Sequence, residues 1–219
     1  IIEEKVSKIH TTHLDVSFNE ILDMYQSNEL NISPDFQRLF RWSNGKQSRF
    51  IESLILEMPV PPIYVIELDD GKYELIDGLQ RISSYLHLRG ELVGATHNNI
   101  EDKDKLKLSD CDVIEELNGF TFDELPTSYQ IRLKRSFIRM EVIRKESNKL
   151  IRYHMFKRLN TGGEGLEDQE LRNCTIRILN ESFPNFLNDV VENQDFQDTT
   201  FNISDAKTIN AYKQELILR

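Results

Sequence analysis

The feature that most constrains the fold is a change of hydrophobic period at Asp77-Gly78. Residues 73–76 alternate and carry strand-forming side chains, whereas apolar residues recur at helical spacing over residues 79–88. The sequence therefore predicts a strand that enters a helix through a tight glycine turn. Such a helix begins with unpaired N–H groups, and Arg81 adds a cation to its first turn. The turn of residues 77–81 is thus, in outline, an anion site.

A simpler interpretation of the same residues stays open. Asp77 can be an ordinary helix cap and Arg81 an ordinary surface residue, because Asp-Gly pairs are common in turns and before helices. The dipeptide alone does not predict a binding site.

Composition describes a single sizeable domain, or one with a small appendage. The 219 residues are 39% hydrophobic and 29% charged, which is typical of a globular chain. The formal net charge of -10 argues against a freestanding, non-specific DNA-binding protein, because such binding depends on neutralising phosphates. We therefore expect any DNA contact to be local or to come from a partner.

Cysteine usage and hydropathy bear on location. Cys111 and Cys174 have no metal-ligand spacing and suggest no disulfide framework, so we expect a reducing cytoplasm. No apolar run reaches the roughly 18 residues of a membrane span, and no signal peptide is present, so we expect no membrane partner. The chain begins at Ile1 and ends at Arg219 within helical spacing, so we expect a piece of a longer protein.

Hydrophobic spacing predicts an α/β domain followed by a helical second half. Strands are expected at residues 10–16, 63–68, 72–76 and 137–143, and helices at residues 19–28, 46–57, 79–88, 127–135, 148–159, 166–179 and 183–191. Asp69-Asp70-Gly71 predicts a hairpin turn between the second and third strands. We therefore divide the chain into a core at residues 1–145 and a helical extension at residues 146–219.

Four motifs follow one another along the chain. They are residues 35–43 (DFQRLFRWS), 58–64 (MPVPPIY), 77–81 (DGLQR) and 156–163 (FKRLNTGG). In this order and spacing they resemble the GmrS-type N-terminal domain of the GmrSD modification-dependent restriction systems, a branch of the ParB/sulfiredoxin-like superfamily. The resemblance covers roughly residues 11–180. Family members usually have Gln where this chain has Leu79, so any hydrogen bond of that amide is lost here.

The resemblance implies a ParB/sulfiredoxin-like fold, with a small mixed sheet surrounded by helices and a helical C-terminal half. It implies a domain that binds and hydrolyses a nucleoside triphosphate, with Mg²⁺ or another divalent cation, in a bacterial DNA restriction and anti-phage defence system. The domain would control an HNH-type nuclease domain or subunit that is absent from these residues. DNA would be bound by the full assembly, and a homo-oligomer is compatible with the sequence.

The resemblance also implies roles for individual residues. Asp77 and Arg81 would be catalytic, with Asp77 near a divalent metal or an attacking water and Arg81 as the phosphate cation. The nucleotide would be bound by Gln37, Arg38, Gly78, Gln80, Arg81, Asn160 and Thr161.

Several of these residues also fit simpler roles. Gln37 suits a base edge or a turn cap, and Arg38 suits a surface ion pair. By composition, Asn160 and Thr161 belong to an ordinary helix stop. Trp42, the only tryptophan, suits either the core or a stacking platform for a base.

Three rival functions stay open. A non-hydrolysing nucleotide sensor would switch a partner by binding alone. A ParB-like DNA-binding or nicking domain would need its basic residues on one face, namely Arg38, Arg41, Lys46, Arg49, Arg81 and Arg89. Sulfiredoxin chemistry would need a reactive cysteine in the phosphate turn, and both cysteines are far from it in sequence.

Overall fold

The computed structural model describes residues 10–32, 40–93, 100–147, 158, 183–202, 213 and 216–217. Contacts divide the chain into two compact units, one of residues 10–145 and one of residues 1–9 with 146–219. None of the helices within the described residues is long and apolar enough to cross a membrane.

The first unit is built on a mixed sheet of five strands. They are β1 (Thr11–Ser17), β2 (Leu30–Asn31), β3 (Ile63–Glu67), β4 (Tyr73–Asp77) and β5 (Phe137–Ile143), in the spatial order β1-β5-β3-β4-β2. The β1–β5 and β3–β4 pairs are antiparallel, whereas the β5–β3 and β4–β2 pairs are parallel. This confirms the α/β class and the small mixed sheet. Kinship with the ParB/sulfiredoxin superfamily stays a prediction.

Within the described residues, four α-helices accompany the sheet: α1 (Phe18–Gln26), α2 (Asn44–Ile55), α3 (Leu79–Arg89) and α4 (Thr127–Arg135). Short 3₁₀ turns occur at Glu115–Leu117 and Phe122–Glu124. The α2 helix begins two residues earlier than predicted because Ser43 caps it, accepting a hydrogen bond from the Lys46 amide at 3.3 Å. It ends before Glu57, whose positive φ of 57° breaks the helix.

The predicted hairpin is confirmed between β3 and β4. Gly71 has a φ of 82° and donates to the Leu68 carbonyl at 3.0 Å, and the Leu68 amide donates to Lys72 at 2.8 Å. After this turn β4 runs directly to Asp77, and α3 starts at Leu79. The predicted change from strand to helix therefore occurs where the hydrophobic period changes.

Apolar side chains between the sheet and the helices form the core. On β5, the alternating residues Ile138, Met140 and Val142 are buried, as predicted. Phe18 at the start of α1 packs on Tyr85 of α3 with ring centroids 5.0 Å apart. The core thus fixes α3, and with it the turn that begins this helix.

The second unit contains two described helices, α5 (Phe183–Glu192) and α6 (Gln194–Thr199). Asn193 caps α6 by accepting from the Asp195 amide at 2.9 Å. The helix predicted at residues 183–191 is confirmed. Those predicted at residues 148–159 and 166–179 fall outside the described residues, except for helical Arg158.

Candidate functional site

The turn of residues 77–81 joins β4, an inner strand of the sheet, to α3. Gly78 is the N-cap residue of α3, with φ 108° and ψ 8°, and it makes no side-chain capping hydrogen bond. The interpretation of Asp77 as a helix cap is therefore wrong. Gly78, as the cap residue, offers no side-chain acceptor to the N–H groups at the start of α3, and the positive end of the helix dipole favours an anion at this position.

Gly78 is required by both backbone conformation and space. Its φ lies in the left-handed region, which side chains disfavour. A Cβ at this position would lie 2.3 Å from Ile63 Cγ2 and 3.4 Å from Arg81 Nη2. The start of α3 thus packs directly on the first residue of β3.

Arg81 is anchored at one end of its guanidinium group. Nη2 donates to Asp77 Oδ2 and to the Pro62 carbonyl oxygen, both at 2.9 Å. Nε is buried without a hydrogen-bond partner, and Nη1 has no hydrogen bond to any residue in the described part of the chain. An arginine has five N–H donors, so Arg81 is held rigidly while three of its donors make no hydrogen bond to the described residues.

Asp77 also keeps bonding capacity. Its side chain is 37% exposed, and Oδ1 makes no hydrogen bond to any residue that the structure describes. Among the described residues, no group of three or more His, Cys, Asp or Glu side chains is arranged to hold a metal ion. Mg²⁺ in nucleotide sites usually takes one or two carboxylates plus phosphate oxygens and waters. Asp77 fits that mode of binding, whereas the described residues offer no all-protein metal cage.

Gln80 is bonded to the main chain of the segment before α2. Its Oε1 accepts hydrogen bonds from the amides of Arg41 at 3.0 Å and Trp42 at 3.1 Å. The first turn of α3 is thereby tied to a stretch of chain nearly 40 residues away. The structure thus brings Arg41 and Trp42 next to the predicted phosphate turn.

Trp42 is held from the other side by a buried polar pair. Gln47 of α2 donates from Nε2 to the Trp42 carbonyl at 2.8 Å, and its Oε1 lies 2.8 Å from Nδ1 of His87 on α3. Burial lowers the pKa of His87 to about 4, against the opposing effect of the Asp104 carboxylate. The imidazole is therefore neutral at pH 7 and donates from Nδ1 to Gln47.

The Trp42 ring itself is half-buried. It packs edge-on against Phe50 with centroids 5.9 Å apart, and Lys46 Nζ lies 5.0 Å from its ring centroid. The ring therefore joins the edge of the core, as the simpler interpretation predicts, without being fully enclosed. Leu79 is likewise half-buried against the core, so in this chain the family's usual amide is replaced by a packing contact.

The structure therefore brings together Asp77, Gly78, Gln80 and Arg81, and adds Arg41 and Trp42 through Gln80. The other predicted nucleotide-binding residues, Gln37, Arg38, Asn160 and Thr161, lie outside the described residues. Their roles stay predictions.

Sequence reasoning missed the buried polar residues of α2. Besides Gln47, Glu52 is 2% exposed, and its carboxylate accepts hydrogen bonds from the Val113 amide at 3.0 Å and the Ile114 amide at 2.6 Å. Both residues lie on the apolar stripe of α2 that includes Ile51 and Ile55. A polar residue at a core position of a helix was the signal that could have identified them.

Cys111 lies in the loop next to Glu52 and is buried. Burial, with the Glu52 and Asp112 carboxylates nearby, raises the pKa of the Cys111 thiol to about 11. Because the thiolate is the reactive form of cysteine, this argues against sulfiredoxin chemistry at Cys111.

Comparison with known proteins gives one match. A family model described as the GmrSD restriction endonuclease N-terminal domain matches residues 18–177. The match includes the turn of residues 77–81 and residues 160–161. No curated protein and no solved structure gave a significant match.

Proposed function

Because the chain belongs to the family of the GmrSD restriction endonuclease N-terminal domain, we propose that this restriction-system component binds and hydrolyses a nucleoside triphosphate at residues 77–81. The observation that carries the proposal is the state of Arg81. One end of its guanidinium is fixed by Asp77 and Pro62, while its remaining donors make no hydrogen bond to the residues that the structure describes. A pre-positioned fork of donors beside a helix start capped by glycine suits a phosphate chain.

The turn can divide the work of phosphoryl transfer between two side chains. Arg81 binds the phosphates and stabilises the charge that develops on them during hydrolysis. Asp77 orients the attacking water through its half-exposed carboxylate, and its ion pair with Arg81 keeps it at the edge of the turn. Mg²⁺ or another divalent cation, when bound, neutralises part of the phosphate charge, with Asp77 as its protein ligand.

The remaining parts of the proposal come from the family. Gln37, Arg38, Asn160 and Thr161 complete the nucleotide site, and an HNH-type nuclease domain or subunit outside these residues cuts DNA in the full assembly. Hydrolysis controls that nuclease in the cytoplasm, where a thiol such as Cys111 stays reduced.

Leu79 supports a second candidate, the non-hydrolysing nucleotide sensor. Its side chain packs against the core and supplies no hydrogen bond where family members usually have a glutamine. If that amide orients water or phosphate in relatives, this chain binds the nucleotide without turnover and acts through binding alone.

Calorimetric titration with each of the four ribonucleoside triphosphates and Mg²⁺, followed by a phosphate-release assay, tests both candidates. Saturable binding with release supports the hydrolase, and binding without release supports the sensor. If none of the four nucleotides binds, both are wrong.

A further inference from the structure

Gln80 carries an inference that deepens the proposed function and rests on it. We propose that Gln80 is a positioning residue whose carbonyl oxygen binds the main chain rather than the nucleotide, and that Arg41 and Trp42, which it holds, form a second side of the nucleotide site. The resemblance to the family implies a different role for Gln80, as a direct contact to the nucleotide.

The side-chain carbonyl oxygen of Gln80 is fully occupied by hydrogen bonds to the main chain. A carboxamide oxygen has two lone pairs, and both are used here by the amides of Arg41 at 3.0 Å and Trp42 at 3.1 Å. A nucleotide that bonded to this oxygen would leave a main-chain amide without its acceptor, which is unfavourable. The oxygen is therefore better explained as a fixed clamp than as a ligand-binding group.

The main chain of Trp42 is held on both sides. The Trp42 amide is bonded to α3 through Gln80, and its carbonyl is bonded to α2 through Gln47 at 2.8 Å. Gln47 is itself held by His87, seven residues after Gln80 on the same helix. Two helices thus fix both main-chain polar groups of Trp42, and such fixing is typical of segments that must present side chains accurately.

The clamped segment carries Arg41 next to the phosphate turn. Gln80 directly precedes Arg81, so its clamp brings the exposed residue Arg41 beside the phosphate turn. A nucleoside triphosphate carries several negative charges, and Arg81 alone already shares its guanidinium with Asp77. Arg41 supplies a second cation to the phosphates, with Trp42 fixed at its side.

The chain's single tryptophan allows the clamp to be tested without any ligand. Gln80→Leu keeps the size of the side chain but removes the acceptor, whereas Gln80→Glu keeps acceptor oxygens for both amides. Gln130→Leu is the matched control, because Gln130 of α4 also bonds to the main chain, donating from Nε2 to the carbonyls of Asp123 and Leu125. Each variant is compared with the wild type by Trp42 emission and acrylamide quenching.

We expect Gln80→Leu to shift Trp42 emission to the red and to increase its quenching, with wild-type behaviour in Gln80→Glu and Gln130→Leu. In calorimetric titrations with Mg²⁺ and the triphosphate that binds the wild type, Gln80→Leu and Arg41→Gln should each lower affinity about tenfold. Arg49→Gln, which changes an exposed arginine of α2, should bind as the wild type does.

Two results would overturn the inference. Lower affinity in Gln80→Leu with unchanged Trp42 emission means that Gln80 contacts the nucleotide directly. Altered emission with unchanged affinity means that the clamped segment lies outside the site. If the wild type binds no triphosphate, the proposed function is wrong, and so is the assignment of Arg41 and Trp42 to a nucleotide site. The emission data still decide whether Gln80 holds the segment of Arg41 and Trp42.

Discussion

The Asp77 carboxylate and the Arg81 guanidinium form an ion pair, with 2.9 Å between Oδ2 and Nη2, that closes the turn from β4 into α3. The Asp77 side chain is 37% exposed and the Arg81 side chain 16%, so solvent screens the pair. Such pairs contribute at most about 1 kcal/mol to stability. Changes to either residue should therefore test function more than folding.

Replacing Asp77 should separate turnover from binding. Asp77→Asn keeps an oxygen for Arg81 but removes the charge that orients water or binds the cation, so turnover should fall about 100-fold or more with a much smaller loss of affinity. Phosphate release and calorimetry measure the two effects. Asp15→Asn, which weakens the exposed ion pair with Arg139, is the control and should change neither. Equal losses of turnover and affinity in Asp77→Asn would instead indicate a purely structural role.

Gly78 should be the most restrictive residue of the turn. Gly78→Ala combines the left-handed backbone penalty with a Cβ placed 2.3 Å from Ile63 Cγ2, so the free energy of unfolding should fall by about 2–4 kcal/mol. Gly71→Ala is the matched control, because φ there is 82° but no atom lies within 4 Å of the added Cβ. Its loss should be only about 1–2 kcal/mol. Equal losses in urea unfolding experiments would contradict the close approach of Gly78 to β3.

Stability should fall at acidic pH through His87. Its pKa is about 4 in the folded protein and 6.5 in an unfolded chain, so between these values the unfolded state binds more protons. Above about pH 6.5, titration of His87 does not change the free energy of unfolding. Between pH 6.5 and pH 4 the free energy of unfolding falls progressively, by about 3 kcal/mol in total.

Urea unfolding at several pH values measures this loss. His87→Asn keeps an N–H near the position of Nδ1 but does not titrate, so its stability should fall less steeply between pH 6.5 and 4. His13→Asn, at an exposed position of β1, should keep the wild-type slope. Parallel slopes for His87→Asn and the wild type would mean that protonation of His87 does not oppose folding.

The purified chain should not cleave DNA with added divalent metal. The structure arranges no cluster of His, Cys, Asp or Glu for metal binding within its described residues, and the proposed function places the nuclease outside these residues. Incubation with supercoiled plasmid and Mg²⁺ or Mn²⁺ checks this on a gel. Nicking or cleavage that elutes with the pure chain, and that is lost in Asp77→Asn, would overturn the assignment.

Local sequence signals predicted the centre of the site because they depend on neighbouring residues. The change of hydrophobic period at Asp77-Gly78 correctly predicted the strand-to-helix turn, and Asp69-Asp70-Gly71 correctly predicted the preceding hairpin. The limits of α2 were off by two residues because Ser43 and the positive φ of Glu57 set them.

Long-range hydrogen bonds could not be predicted in this way. The clamp from Gln80 to Arg41 joins residues 39 positions apart, and Gln47 meets His87 across 40 positions. No local periodicity encodes which residues meet at such separations, since the packing of α2 on α3 decides it. The residue types still gave a hint, because a glutamine or histidine on an apolar helix stripe needs a buried partner.

The most direct test of the central claim is calorimetric titration of Arg81→Ala beside the wild type with Mg²⁺ and the preferred triphosphate. We predict saturable binding by the wild type and at least about tenfold weaker binding by Arg81→Ala, because a charge-assisted hydrogen bond contributes about 1.5–3 kcal/mol. Arg132→Ala is the matched control, since Arg132 also donates to a main-chain carbonyl, that of Ile55, and pairs with Glu57. It should bind as tightly as the wild type. Wild-type affinity in a folded Arg81→Ala protein would contradict the claim that the triphosphate binds at this turn.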